Sequence, residues 1–103
     1  MANRRVELHE KFAEILGSRE VYFQPPESVK MYYPAIRYER SRIDQVFADD
    51  LTYLGRKQYT VTLIYTDPDS ELPDKLLSGF SLIRHVRNYT ADNLHHDVFD
   101  LYW

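Results

Sequence analysis

The sequence predicts an α+β domain: a mainly antiparallel sheet with an N-terminal helix and a second helix packed on it, plus a long protruding hairpin or arm. Three observations lead there. Residues 4–16 set Leu8, Phe12, Ile15 and Leu16 on one stripe at helical spacing, with Glu7, Glu10, Lys11 and Glu14 on the other faces. Residues 58–66 alternate Tyr59, Val61, Leu63 and Tyr65 against Thr60, Thr62, Ile64 and Thr66, the period of a strand. The last segment, YTADNLHHDVFDLYW, stays apolar to its final residue, and a chain end of that kind is expected to be paired into a sheet or docked on a neighbour. At 103 residues the chain reads as one domain, residues 1–103.

The elements follow in order. The first helix is supported by Glu7 and Lys11, four apart in the favourable sense, and Gly17 supplies its stop. Residues 21–24 form a short strand that Pro25 and Pro26 end, since two prolines remove two backbone donors. Residues 28–33 are extended ahead of Pro34. Residues 35–40 are a strand. Residues 41–57 lack a cap and a sustained apolar stripe, so extended arms that leave and rejoin the sheet fit better than a helix. Residues 58–66 are the clearest strand, rich in Thr, Val, Ile and Tyr.

Asp67 is a candidate cap with Pro68 at the first helical position, and Ser70 is a second candidate, with Pro73 in the first turn. Leu72, Leu76 and Leu77 give this helix its apolar face and Gly79 closes it. Residues 80–88 and 93–103 are the final strands, joined by a turn over residues 90–93 in which Asp92 and Asn93 tolerate tight geometry.

Composition narrows the chemistry. The net charge of −3 argues against nucleic-acid binding by bulk charge. The local basic spots (Arg4 with Arg5, Arg37 with Arg40 and Arg42, Arg84 with Arg87) are diluted by acids. With no cysteine there is no disulfide, thiolate site or thiol nucleophile. No run approaches the roughly 20 apolar residues of a membrane span. The N-terminus lacks the apolar core of a secretory signal, so the chain is expected to be soluble and made in a cytoplasm, with no membrane partner. Nine tyrosines suit either an interface or ordinary strand positions.

Catalytic constellations are weak. Residues 67–71 carry alternate acids without the glycine turn and distant glutamate of a calcium loop. His95 and His96 are adjacent and point to opposite faces of a strand, so a metal or catalytic site built on His85, His95 and Asp97 would need convergence by folding. No nucleophile elbow or phosphate loop is present. The expectation is a protein that is not an enzyme and carries no cofactor and no metal. The non-catalytic feature is the arm, residues 40–56. It mixes Ile43, Val46, Phe47, Leu51, Tyr53 and Leu54 with charges and has no evident internal partner, so these six are the candidate subunit interface.

Four stretches carry a resemblance: YYPAIRYER (residues 32–40), FADDLTYLGRKQYTVTLIY (47–65), DPDSELPDKLL (67–77) and YTADNLHHDVFDLYW (89–103). The chain resembles the small tail-completion proteins of tailed-phage structural modules, particularly in phages of Gram-positive hosts, and its element order is similar to that of tail terminators. The resemblance implies a structural virion protein of the head–tail junction without enzymatic activity. It implies a homo-oligomer, a hexameric ring that caps the tail tube. The major tail tube protein would lie on one side and a head-completion (stopper) or connector protein on the other, with DNA passing through without sequence-specific binding. It implies assembly in the host cytoplasm and a place in the neck of the virion. The arm would make subunit contacts, and residues 69–78 would cover the sheet. The alternatives are the head-completion (stopper) position of the same neck and, from another class, a small metal-dependent enzyme using His85, His95 and Asp97.

Overall fold

In the computed structural model, residues 4–26, 29–48 and 51–103 are described, with side chains outside 42–48 and 51–56. The order is α1 (Arg4–Leu16), β1 (Val21–Phe23), β2 (Ala35–Ala48), β3 (Leu51–Tyr65), α2 (Leu72–Gly79), β4 (Ile83–Ala91) and β5 (Leu94–Tyr102). The five strands form one mixed sheet in the order β1-β2-β3-β5-β4. Only β1 and β2 pair in parallel; the other neighbours are antiparallel. This is the α+β architecture that the sequence predicts.

Helix α1 buries Leu8, Phe12 and Leu16, the spacing-four stripe of the sequence. It stops where Gly17 turns to φ +77° and its N–H reaches the Ala13 carbonyl at 2.9 Å. Glu7 does not pair with Lys11. The Lys11 ammonium instead lies over the rings of Phe80 at 4.5 Å and Trp103 at 5.5 Å, a better-desolvated partner for the cation.

The β3–α2–β4 path is a crossover between two strands that run the same way with β5 inserted between them. Its entry corrects two sequence expectations. Asp67 and Pro68 do not start the helix: the Asp67 carbonyl accepts from Ser70 N at 3.1 Å and Asp67 Oδ1 accepts from Asp69 N at 2.9 Å. Asp followed by Pro suits the first two positions of a β-turn as well as a helix start, and the turn wins here. Ser70 Oγ accepts from Leu72 N at 3.2 Å, one residue ahead of the cap position held by Glu71. Helix α2 therefore opens at Leu72, with Pro73 in its first turn. Gly79 packs closely, since a Cβ there would meet Ile15 Cδ1 at 2.9 Å.

Strand β4 likewise begins at Ile83 rather than at residue 80, because Phe80 turns into the core. The hairpin β4–β5 closes through Asp92 and Asn93, both at positive φ (53° and 62°), as a two-residue loop with Ala91 opposite Leu94.

The core lies between the helices and one sheet face. Leu8, Phe12, Tyr38, Tyr59, Val61, Leu63, Leu76, Phe99 and Leu101 are all fully buried there. Phe12 touches Tyr38 and Phe80 with ring centroids at 5.0 and 5.4 Å, and Tyr38 meets Tyr59 at 5.9 Å. The tyrosines thus divide, with Tyr38 and Tyr59 in the core and Tyr32, Tyr33 and Tyr89 exposed. The C-terminus is tied down as expected. Trp103 exchanges backbone hydrogen bonds with Lys57 at 3.0 and 3.2 Å, and its indole N–H donates to the Arg4 carbonyl at 2.7 Å.

Candidate functional site

The most distinctive polar group of the described residues sits at one end of the helix-bearing face. Strand β3 brings Tyr65, β5 brings His95 and Asp97, and β4 brings His85. Asp97 is 4% exposed and each of its oxygens has a donor. Tyr65 OH donates to Oδ2 at 2.6 Å, and His85 Nε2–H donates to Oδ1 at 2.8 Å. The His85 ring stands edge-on to Phe99 at 5.2 Å, and His95 stacks on Tyr65 at 5.4 Å. Burial, then the hydrogen bond and charge of Asp97, push the Tyr65 hydroxyl up to about 12. The phenol is therefore a fixed donor through neutral pH.

A register shift produces this convergence. The turn at Asp92 and Asn93 sets Asn88 opposite Asp97 and Arg87 opposite Val98. An unbroken ladder would then place His85 opposite Asp100, on the face away from the helices. The irregularity between His85 and Arg87 shifts the count by one, so His85 faces Phe99 and joins the Asp97 side. Turn chemistry is legible in the residues; the bulge at Val86 has no comparable signature, so sequence reasoning stated the need for convergence without being able to supply it.

The other two histidines lie apart from this cluster, His96 on β5 and His9 on α1. His96 lies on the opposite face from His95, stacked on Tyr89 at 4.6 Å with the planes 10° apart, and its Nδ1–H donates to the Leu94 carbonyl at 3.1 Å. His9 Nδ1 accepts from Tyr38 OH at 2.9 Å; burial, then the Arg5 charge, hold its pKa below the usual value. Among the described residues no group of three potential ligands comes together to hold a metal ion. His85 and Asp97 meet, whereas His95 is engaged with Tyr65. The chemical work of the cluster is to link three neighbouring strands by charge-assisted hydrogen bonds.

A second candidate region is the pair of sheet margins. Strand β4 ends the strand order, and residues 84–90 are exposed throughout, including Val86 and Tyr89. Arg84 pairs with Asp100 at 3.1 Å, and the Arg87 guanidinium lies over Tyr89 at 5.4 Å. Beside the start of β4, Ser81, Leu82, Arg84, Asp100 and Tyr102 line an open hollow of about 350 Å³. At the other margin, β1 covers β2 only from Ile36 to Tyr38.

The remainder of β2 pairs with β3 alone among the described residues, as far as Ala48 opposite Leu51. The arm is thus one hairpin of two long strands, and it carries the sequence-predicted interface. Ile43 lies opposite Lys57, Val46 opposite Tyr53, Phe47 opposite Thr52, and Leu54 opposite Gln45. The side chains of Ile43, Val46, Phe47, Leu51, Tyr53 and Leu54 lie outside the described residues.

No protein-family model matches this chain, and no curated protein is significantly similar to it in sequence.

Proposed function

We propose that this chain is a structural subunit of the head–tail junction of a siphophage-like virion, a tail-completion protein of the tail-terminator kind. Copies close into a homohexameric ring that caps the tail tube and joins it to the head-completion or connector protein, with DNA passing through the centre. A ring forms when one heterologous contact repeats and closes after a fixed rotation. The observation that carries this reading is the β2–β3 hairpin. Its strands are 14 and 15 residues long, and its outer part finds no pairing partner in its own sheet among the described residues. Its sequence supplies Ile43, Val46, Phe47, Leu51, Tyr53 and Leu54 to a neighbour. The polar cluster supports the same direction, because both Asp97 oxygens are committed to holding strands together.

Native mass measurement at high protein concentration, and of isolated virion necks, tests the proposal. The expected species is about 74 kDa, six times the 12.3 kDa subunit. A strict monomer in both settings refutes it. Phe47→Asp is expected to leave the circular dichroism spectrum unchanged and abolish the oligomer; unfolding would instead place Phe47 in the domain's own core.

A further inference from the structure

Among the described residues the sheet has two long margins that no further strand covers, and they lie on opposite sides of the molecule. One is β4, nine residues ending the strand order. The other is residues 39–48 of β2, which β1 is too short to cover, although the Arg40 N–H at its near end donates to Gln24 Oε1 at 3.4 Å. An exposed sheet edge presents a row of backbone donors and acceptors that a further strand can satisfy. The page offers an occupant for each margin, namely the other margin of a second copy.

We propose that copies join head to tail through these edges, with β4 of one subunit pairing antiparallel to residues 39–48 of β2 in the next. The inference rests on the ring reading above and names its interface. Strand sense fits: within the sheet β2 and β4 run in opposite directions, so continuing the sheet across the contact gives an antiparallel pair. Length fits, since the five residues of β4 beyond the bulge at Val86, 87–91, find room within residues 39–48 of β2, whose own register shifts fall near Ser41 and Asp44. Charge also favours this contact over the symmetric one. Two β4 strands face to face bring together Arg84 and Arg87 of both copies with no acid between them, whereas the β2 stretch offsets its Arg40 and Arg42 with Glu39 and Asp44. Exposed Leu82 lies just ahead of β4 and would add an apolar contact to the incoming strand. Joining opposite margins gives a heterologous contact, which continues in one rotational sense instead of stopping at a dimer.

Disulfide trapping in the full chain tests it, and the natural sequence has no cysteine to interfere. Asn88→Cys or Tyr89→Cys is combined with a cysteine placed at each position from 39 to 48 in turn, which covers every register. Within one copy β2 and β4 are three strand spacings apart, roughly 14 Å, beyond the ~7 Å that a disulfide spans. Every crosslink is therefore between copies. The expected result after mild oxidation is a ladder of covalent multimers for at least one combination, ending at the size that native mass gives, and no crosslink for Asn88→Cys or Tyr89→Cys alone. Intact oligomers with no ladder from any combination overturn the edge contact and leave the ring standing. Dimers from the single β4 variants overturn it in favour of symmetric pairing. A strict monomer removes both the contact and the ring.

Discussion

Asp97→Ala isolates what the polar cluster contributes. The substitution takes a buried acceptor from two donors. The Tyr65 hydroxyl, bonded at 2.6 Å to an ionised group in a half-buried site, loses a bond worth about 1.5–3 kcal/mol. The His85 side chain is 36% exposed, so its ring can turn to water, and its share is discounted to ~0–1 kcal/mol. The sum is about 2–4 kcal/mol. For a domain of this size each kcal/mol moves the melting temperature by roughly 4–8 °C, so a fall of about 8–32 °C is expected. Urea unfolding followed by circular dichroism measures it, and Tyr65→Phe provides the second arm of a double-mutant cycle. The two changes should fall short of additivity by about 1 kcal/mol or more, because they remove the same bond. A loss below ~0.5 kcal/mol, or strict additivity, would refute the idea that Asp97 holds the strands together.

Three further outcomes follow from other parts of the molecule. Gly17→Ala forces a side chain into φ +77° and should cost ~1–2 kcal/mol by equilibrium unfolding, with Gly17→Asn losing less, although a Cβ at this site meets no atom within 4 Å. Trp103→Ala removes the bond to the Arg4 carbonyl and the edge contact to Phe80, and a loss of ~2–3 kcal/mol is expected in a thermal melt followed by circular dichroism, since the only tryptophan is gone. For pH, the folded Tyr65 hydroxyl titrates at about 12, above its unfolded value. Its stabilising contribution is therefore complete below pH 10 and lost between about 10 and 12. Unfolding free energies taken from pH 9 to 11.5 should fall less steeply in Tyr65→Phe than in the natural chain.

The sequence made the two faces of the molecule readable because burial there follows a single period. Leu8, Phe12 and Leu16 on a helix and Tyr59, Val61 and Leu63 on a strand repeat at spacings that only one conformation can bury. The terminal strand was legible for another reason, its apolar run to the last residue, since Val98 and Phe99 are both buried, and Asp92 with Asn93 announced its turn. Junctions were harder. Asp67–Pro68 carries the signature of both a helix start and a β-turn, and local chemistry alone does not choose between them. The extent of β2 and β3 was also hidden, because irregular pairing near Ser41 and Asp44 breaks the alternation that reveals a strand. The cluster at Asp97 was half legible. Its residues stood out, but their meeting depends on one extra residue in β4, and nothing in the composition of that strand marks where it falls.

The polar cluster and the free edge belong to one problem, how to keep an exposed strand ordered while leaving one side of it open. Strand β4 buries little of its own: residues 84–90 are exposed, and its contacts with the core are Ile83 and the edge of the His85 ring against Phe99. Hydrophobic burial cannot account for its order. What remains is the ladder to β5, the tight turn at Asp92 and Asn93, the exposed and therefore weak Arg84–Asp100 pair, and the His85–Asp97 bond. All of these act on the β5 side or the helix face. None occupies the backbone groups of the outer edge. An apolar anchor in place of His85 could hold the strand as well, yet it would add to the exposed apolar surface of Val86 and Tyr89 beside an open edge, the condition that favours indiscriminate strand pairing. A buried carboxylate that draws in a half-exposed histidine fixes the strand without that cost. On this argument the bulge at Val86 has two effects with one residue: it turns His85 inward to the carboxylate, and it breaks the regularity of the edge so that only the stretch beyond it, residues 87–91, is flat enough to accept a partner.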